Sequence, residues 1–237
     1  MPLVRLDKFI ADCGIASRKE IKQMIKQGRV CVNGAAVCLP ETKLNPEECS
    51  VTLDGEMLHY LRYHYYMMNK PAGILSATDD RKQQTVIDLL SPELKKLGMF
   101  PVGRLDKDTT GLLLITNDGD FAHKVISPKS GIVKLYHAVC DGTPDEKDAE
   151  AFVSGIVLAD GTKCLPAKLE VLPDGSCLVY VHEGKYHQVK RMLAACGKPV
   201  IRLERLKIGE LSLDESLNPG EYRALSENEL CRVMMGK

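Results

Sequence analysis

The segment GRLDKDTTGLLLITNDGD (residues 103–120) places a charged turn directly before a strongly apolar run. Continuous apolar residues after Gly111 predict a buried β-strand, and the glycine-containing turn that follows ends it. Asp106 lies between Arg104 and Lys107 at the entry to this strand. Charge spacing alone favours a solvated turn at Asp106. A calcium loop is a second interpretation, but the aspartates lack the spacing of a twelve-residue calcium loop and no closing glutamate follows.

Strand-like and helix-like segments follow one another irregularly from about residue 61 onward. Strand patterns occur at 65–73, 134–142 and 176–184, and helical patterns occur at 85–98, 145–155 and 187–197. Strict alternation of strands with helices is absent, and several connections are short enough for hairpins. The sequence therefore predicts an α+β fold whose larger domain has a mixed, mostly antiparallel sheet flanked by helices.

The N-terminal part of the chain predicts a small unit of two helices and a hairpin. Ser17 followed by Glu20 has the pattern of a capping box at the start of the second helix. The Asn-Gly pair at 33–34 stands between short apolar runs, which is the pattern of a two-residue hairpin turn. The sequence therefore predicts two domains, at residues 1–60 and 61–237.

Charge is balanced overall but unevenly distributed. The chain has 32 basic and 32 acidic residues and a formal net charge of zero, which argues against indiscriminate coating of nucleic acid. Basic residues are concentrated at 18–29 and 183–207, whereas the residues after Lys207 are mainly acidic. Such patches indicate a localised polyanionic partner.

Two classes of site are disfavoured by composition. The nine cysteines include no CxxC pair, so reduced thiols are expected rather than a zinc or dithiol site. No apolar run approaches the roughly 20 residues of a membrane helix, and the N-terminus has no secretory pattern. We expect a cytoplasmic protein without membrane association, metal or cofactor.

The segments RLDKFIADCG (5–14) and SRKEIKQMIKQGRVCVNG (17–34) resemble the S4 RNA-binding domain. Without that resemblance, the basic face of the second helix is also explained as a solvated surface, although its like charges repel one another. The resemblance implies that four basic residues face RNA phosphates: Arg18, Lys19, Lys22 and Arg29. Phosphate contacts position a protein on RNA without reading its sequence.

Four further motifs occur in a fixed order along the larger domain. They are NKPAG (69–73), the GRLD segment with its following D-T-x-G-L-L-L, Lys134-x-Tyr136, and EGKYHQVKRM (183–192). Together they resemble the motifs of the RNA pseudouridine synthases, in the branch that also carries an N-terminal S4 domain. The resemblance spans nearly the whole chain and implies an isomerase that converts uridine to pseudouridine within RNA.

The resemblance also implies roles for three residues. Asp106 is the expected catalytic carboxylate, Lys190 its expected ion-pair partner, and Tyr136 the expected stacking surface for a flipped-out uridine. Lysine at 190 replaces the arginine that the family often has, so it keeps the charge but loses the two-pronged geometry. From the residues alone, a solvated helix charge is the favoured interpretation of Lys190. An ordinary strand tyrosine explains Tyr136 at least as well as a functional one.

Conversion of uridine to pseudouridine needs no redox or group-transfer cofactor, because the two nucleosides are isomers. The bond from C1′ to N1 must break, the uracil must reorient, and a bond from C1′ to C5 must form. A carboxylate can trap positive character at C1′, add to the ring, or remove a sugar proton. The sequence does not choose among these three routes, and Asp106 is central to each.

Further RNA contacts are expected beside the site, from Arg104, Lys185, His187 and Arg191. The segment 186–192 resembles the small-subunit (16S) rRNA synthases of the branch more than their 23S relatives. We therefore expect ribosomal RNA as the partner of a monomeric protein, with 16S favoured over 23S, free or within a partly assembled small subunit.

Two alternatives predict different observations. A noncatalytic RNA-binding or assembly protein of the same fold is expected to have lost the aspartate of the GRLD motif, which is intact here. A base-removing glycosidase would use a similar carboxylate but would release free uracil.

Overall fold

A computed structural model describes residues 3–235, which form two compact units. The first contains the described residues up to His64 together with Leu90–Met99, and the second contains Tyr65–Leu89 and the described residues from Phe100 onward. Among the helices of this part of the chain, none has the length and apolar character needed to cross a bilayer.

The first unit packs short helices against small antiparallel sheets. Its helices are α1 (Leu6–Asp12), α2 (Arg18–Lys26) and α3 (Pro92–Lys96). Its strands are β1 (Val4–Arg5), β2 (Val30–Val32), β3 (Ala35–Ala36), β4 (Lys43–Leu44), β5 (Val51–Leu53) and β6 (Glu56–Met57). The strands pair in the order β3-β2-β5-β6, and β1 pairs separately with β4. The predicted arrangement of two helices followed by a hairpin is confirmed.

Local sequence explains the start of α2 and the hairpin. The Ser17 hydroxyl accepts a hydrogen bond from the Glu20 amide at 3.4 Å, and the Glu20 carboxylate accepts one from the Ser17 amide at 2.8 Å. Asn33 and Gly34 have φ values of 51° and 81°, the left-handed conformations that a tight hairpin turn requires. Ile21 and Ile25 are fully buried on the inner face of α2, which leaves its basic residues on the outer face.

The second unit is built on a nine-stranded sheet with the main order β11-β12-β10-β13-β9-β7-β15. Its strands are β7 (Tyr65–Lys70), β8 (Phe100–Pro101), β9 (Thr110–Thr116), β10 (Lys134–Cys140), β11 (Lys168–Val171), β12 (Cys177–Val181), β13 (Val200–Ile208), β14 (Leu211–Ser212) and β15 (Tyr222–Ala224). Only β9 and β13 pair in parallel among the described strands. The prediction of a mixed, mostly antiparallel sheet is confirmed.

Helices cover the sheet of the second unit and close two apolar clusters. They are α4 (Gly119–Ile126), α5 (Glu146–Ser154), α6 (Gln188–Ala195) and α7 (Glu227–Met234). Phe152 of α5 and Met192 of α6 pack in one cluster with residues of β10–β12, and Val125 of α4 and Val233 of α7 pack in another with residues of β7 and β9. The loop before β9 and the loop before α6 carry the charged residues Asp106 and His187.

The sequence predicts a helical segment at 85–98 that is broken near Ser91-Pro92. The break is confirmed, but the helix predicted before it is wrong, because only Pro92–Lys96 is helical within that segment. The Asp88 carboxylate accepts hydrogen bonds from the Thr85 amide at 2.8 Å and the Thr85 hydroxyl at 3.0 Å. These bonds close only a single turn, because Pro92 lacks a backbone N–H and disfavours the helical conformation at Ser91, whose φ of −60° and ψ of 155° are extended. The helix begins only after Ser91, whose hydroxyl accepts from the Leu94 amide.

Gly111 allows β9 and β13 to approach closely. Its φ is +95°, and a Cβ atom there would lie 2.4 Å from the Arg205 carbonyl oxygen and 2.9 Å from the Arg205 nitrogen. Both obstructing atoms belong to the backbone, so no side-chain movement can make room. Any other residue at this position would separate the parallel pair.

We predict that Gly111→Ala lowers the free energy of unfolding by about 3 kcal/mol or more, because left-handed strain adds to backbone overlap. Gly119→Ala is the matched control, since a Cβ atom there meets nothing within 4 Å. That variant should be neutral or more stable by about 0.5–1 kcal/mol. Urea unfolding of both variants checks this, and equal effects would contradict it.

Candidate active site

Two adjoining cavities lie in the second unit where the 104–109 loop meets β10 and the loop before α6. Asp106, Thr109 and Gln188 line the first, which we call the Asp106 cavity. Lys134 and Arg205 line the second, the Lys134 cavity. The two share four lining residues: Arg104, Tyr136, Glu183 and Gly184.

The carboxylate of Asp106 lies between two basic side chains. Its Oδ1 is 3.4 Å from Nε2 of His187, and its Oδ2 is 3.4 Å from Nζ of Lys190. The Asp106 side chain is 23% exposed, so it is accessible from the cavity yet partly shielded from water. Both contacts place positive or hydrogen-bonding nitrogen atoms against the carboxylate oxygens, which fixes the carboxylate at the cavity wall.

Lys190 is shared with a second carboxylate. Its Nζ is 2.5 Å from Oδ1 of Asp108, closer than to Asp106. The hydrogen bond from Lys190 is the main cause that holds the pKa of the Asp108 carboxyl below its usual range. The sequence predicted the pairing of Lys190 with Asp106 but not the participation of Asp108, although Asp108 stands two residues away in the same motif.

The backbone on both sides of Asp106 is fixed by buried polar side chains. Nζ of Lys70 donates to the carbonyl oxygens of Lys107 at 3.2 Å and Thr109 at 2.9 Å, as well as to its neighbour Pro71 at 2.9 Å. The hydroxyl of Ser76 donates to the Leu105 carbonyl at 2.9 Å and accepts from the Leu105 amide at 3.1 Å. Lys70 is fully buried, and burial lowers the pKa of its ammonium group to about 8.

The loop that brings His187 to Asp106 is organised by a buried carboxylate. Glu183 accepts hydrogen bonds from the Leu165 amide at 2.8 Å, Gln188 Nε2 at 2.9 Å and Lys185 Nζ at 2.5 Å. His187 itself has φ +49° and ψ 34°, a left-handed conformation that costs energy in a residue with a side chain. This backbone turn aims the imidazole at Asp106 immediately before α6 begins.

Tyr136 lines both cavities from the middle of β10. Its ring centroid is 6.0 Å from Cζ of Arg205, and Nη1 of Arg205 donates to its hydroxyl at 3.4 Å. Nε of Arg205 donates to the Leu112 carbonyl at 2.7 Å, which fixes one edge of the guanidinium. The sequence selected Tyr136 through its motif but did not select Arg205, which stands in no motif that the sequence analysis used.

Within residues 3–235, three buried side-chain atoms have no hydrogen-bond partner in the protein: Thr109 Oγ1, Lys134 Nζ and Arg205 Nη2. All three residues line the two cavities. Burial, reinforced by repulsion from Arg205, lowers the pKa of Lys134 to about 8. Lys134 belongs to the Lys134-x-Tyr136 motif. The motif predicted that Lys134 lies near the site, but it predicted a role only for Tyr136.

The other predicted RNA-binding residues differ in their surroundings. Arg104 is exposed at the shared rim of the cavities. Lys185 is paired with Glu183 at 2.5 Å, and Arg191 is paired with Asp160 at 2.6 Å. In the first unit Arg29 pairs with Asp54. All four residues predicted there to contact RNA are exposed: Arg18, Lys19, Lys22 and Arg29.

Tyr186 presents an exposed aromatic ring and was not predicted as a site residue, although it lies in the 183–192 motif. It is 75% exposed, and its ring stacks on that of His187 with centroids 3.8 Å apart. An exposed π face beside a basic loop is a suitable surface for a nucleobase. Among the described residues, no three His, Cys, Asp or Glu side chains are grouped so that they could hold a metal ion.

Comparison with known proteins gives consistent matches over the full chain. Residues 64–195 match the family described as RNA pseudouridylate synthase, and residues 4–48 match the S4 domain. The chain is 45% identical to an uncharacterised RNA pseudouridine synthase of Bacillus subtilis, over 96% of this chain and 97% of that protein. It is 44% identical to the ribosomal small subunit pseudouridine synthase A of Vibrio cholerae, over 97% of this chain and 99% of that protein.

Two further similarities extend the same pattern. The chain is 42% identical to the ribosomal small subunit pseudouridine synthase A of Escherichia coli, over 98% of this chain and 100% of that protein. A crystal structure of a pseudouridylate synthase matches with a TM-score of 0.69 and 38% identity, over 97% of this chain and 99% of that one.

We predict that Lys70→Met loosens the 104–109 loop, because two carbonyl groups beside Asp106 lose their donor. The free energy of unfolding should fall by about 1–3 kcal/mol, the cost of leaving buried acceptors unpaired. Amide hydrogen exchange should accelerate in residues 105–110 more than in β9. Lys82→Met, which changes an exposed lysine of the same unit, should alter neither quantity; equal exchange in the two variants would contradict this role.

A second prediction concerns the pH dependence of stability at Lys134. Its pKa of about 8 in the folded chain lies below the ordinary value of 10.5, so the unfolded chain binds more protons between these values and wild-type stability rises across this window. Lys134→Met should therefore raise the free energy of unfolding below pH 8, by up to about 3 kcal/mol, and this gain should shrink towards pH 10.5. A gain that stays constant with pH would contradict it, and exposed Lys147→Met is the control.

Proposed function

Because the chain belongs to the RNA pseudouridylate synthase family, we propose that it isomerises one uridine of 16S ribosomal RNA with Asp106 as its catalytic carboxylate. The observation that carries the proposal is the position of Asp106. Its carboxylate borders a cavity, is partly shielded from water, and stands 3.4 Å from both His187 Nε2 and Lys190 Nζ. An ionised carboxylate at a cavity wall is the group that each route to pseudouridine requires.

Asp106 needs its charge in all three routes. As a nucleophile it attacks C1′ or the ring, and as a base it removes a sugar proton; the protonated acid can do neither. Lys190, whose Nζ is 3.4 Å from the Asp106 carboxylate, supplies a positive charge that offsets the loss of water when a nucleobase fills the cavity. Because Lys190 also contacts Asp108, it can follow a movement of Asp106 during the reaction without losing every partner.

The target uridine must leave its stack in folded RNA to reach the cavity. Tyr136 presents its ring to both cavities, and stacking of a base on an aromatic side chain contributes about 1–3 kcal/mol. Arg104, exposed at the rim, is positioned to contact the phosphate next to the flipped nucleotide. These contacts would offset the cost of unstacking.

The names of the relatives support small-subunit RNA as the substrate. The relatives from Vibrio cholerae and Escherichia coli are named as small subunit enzymes, and they align over nearly their whole lengths.

We assign residues 1–60 to RNA binding and residues 61–237 to catalysis. In the first part the phosphate contacts come from the exposed basic residues Arg18, Lys19, Lys22 and Arg29.

Beside the cavity, three more residues are assigned to RNA: Lys185, His187 and Arg191. Lys185 and Arg191 already have acidic partners, Glu183 and Asp160, so RNA phosphate would have to compete with those carboxylates or share their cations. His187 contacts Asp106 as well. We therefore expect Arg104 to contribute more to RNA affinity than either paired cation.

The test uses 16S RNA transcribed with tritium at C5 of uridine. Wild-type protein should release tritium from C5, and Asp106→Asn should release none above background while binding the RNA with unchanged affinity. Asp120→Asn, which changes an exposed aspartate of α4, should behave as wild type. The released label must appear without free uracil.

Other outcomes identify the rival functions. Tritium release from 23S RNA alone would contradict the 16S assignment but retain the chemistry. Free uracil would indicate a glycosidase. Binding without release from 16S RNA, 23S RNA or partly assembled small subunits would indicate a noncatalytic RNA-binding protein.

A further inference from the structure

The Lys134 cavity contains two buried cations that the protein does not neutralise. Lys134 is 7% exposed and Arg205 5% exposed. Within the described residues, neither Lys134 Nζ nor Arg205 Nη2 has a hydrogen-bond acceptor. Buried polar groups are almost always paired, and a buried charge without a partner is costly. Their position in a cavity, rather than in packed core, points to a ligand that supplies the acceptor.

The pairing of β10 with β13 brings the two cations to one cavity. Lys134 and Tyr136 are two residues apart and therefore lie on the same face of β10. Arg205 of β13 is the register partner of Tyr136. The Leu112 carbonyl and the Tyr136 hydroxyl occupy Nε and Nη1 of Arg205, so Nη2 is the remaining free edge. The donors are therefore fixed in advance rather than mobile on long side chains.

We propose that Lys134 and Arg205 bind a carbonyl oxygen of the flipped uracil ring and stabilise the negative charge that the ring gains during isomerisation. The inference rests on the proposed reaction at the adjoining Asp106. The two cavities share Arg104, Tyr136, Glu183 and Gly184 as lining residues, so a base stacked on Tyr136 reaches from one into the other.

The ring becomes more negative whichever route Asp106 follows. When the bond from C1′ to N1 breaks, its electron pair stays on the uracil and is shared between N1 and the ring oxygens. After the uracil turns, C5 forms its bond to C1′ with an electron pair of this conjugated anion, C5 loses its proton, and N1 gains a proton, so the ring is neutral again. If Asp106 instead adds to C6, the displaced pair moves through C5 and C4 to O4. Fixed cations at a ring oxygen favour both transition states.

The chemistry of the cavity walls favours a base over a phosphate. Aliphatic side chains form much of the lining, from Val102, Val125, Ile126 and Ile208, and they suit the edge of a flat heterocycle better than a hydrated phosphate. The aromatic face of Tyr136 is in the same cavity. A backbone phosphate, in contrast, can be contacted at the exposed rim by Arg104.

The first test separates rate from affinity with Lys134→Met. Single-turnover tritium release should slow by about 100-fold or more, the usual effect of removing one donor to a developing oxyanion. RNA affinity should stay within about threefold, because the contact strengthens only in the transition state. Lys147→Met, on the exposed face of α5, should leave both unchanged. Lys134→Met should be at least as stable as wild type, which a structural role would not allow.

The second test begins with the wild-type protein, so its first measurement does not depend on the folding of a variant. After the modified uridine is mapped, the RNA is assembled by ligation with 2-thiouridine or 4-thiouridine at that position, because sulfur is a weak acceptor. One of the two should slow wild type by about tenfold or more, and the same substitution should slow Lys134→Met by less than about threefold, since the partner is already missing.

Each contrary result has a distinct meaning. A Lys134→Met rate equal to wild type, or a wild-type rate unaffected by both thio substitutions, overturns the inference while the isomerase reaction stands. Loss of RNA affinity with an unchanged single-turnover rate assigns the two cations to a phosphate and overturns it too. Failure of wild type on every ribosomal RNA contradicts the proposed function and the inference together.

Discussion

The contact of the Asp106 carboxylate with His187 and Lys190 at 3.4 Å each is the interaction on which the rest of the site depends. It joins a loop before β9 to the start of α6, which are separated by about eighty residues of sequence. Asp106 and His187 both lie outside helices and strands. Other side chains must therefore fix the backbone at each of the two positions. Lys70 supports the first and Glu183 the second, both from buried positions.

The surroundings of Asp106 contain more positive charge than the protein itself neutralises. Lys190 has two carboxylate partners, whereas Lys134 and Arg205 retain N–H groups in the adjoining cavity that no acceptor within residues 3–235 contacts. This surplus lowers the stability of the folded chain in the absence of substrate, a compromise common at functional sites. In the proposed reaction the same surplus suits a ligand that arrives neutral and becomes negative. The apolar walls and the Tyr136 ring are the proposed binding surface for that ligand before its charge develops.

Features encoded by adjacent residues were predictable from the sequence. The Ser17–Glu20 capping box, the hairpin turn at Asn33-Gly34 and the mostly antiparallel sheet are confirmed by the structure. Features that depend on contacts between distant segments were not. The pairing of β10 with β13, which brings Lys134 and Arg205 to one cavity, leaves no mark on local sequence. The roles of Asp106, Tyr136 and Lys190 stay predictions, although the structure brings all three to one region.

The most direct measurement is a pseudouridine map of ribosomal RNA from cells in which the gene for this protein carries Asp106→Asn. The account predicts that one pseudouridine disappears from 16S RNA, that 23S RNA is unchanged, and that restoring the wild-type gene restores the modification. An unchanged map, with the variant present at normal abundance, would contradict the assignment of Asp106 as the catalytic carboxylate.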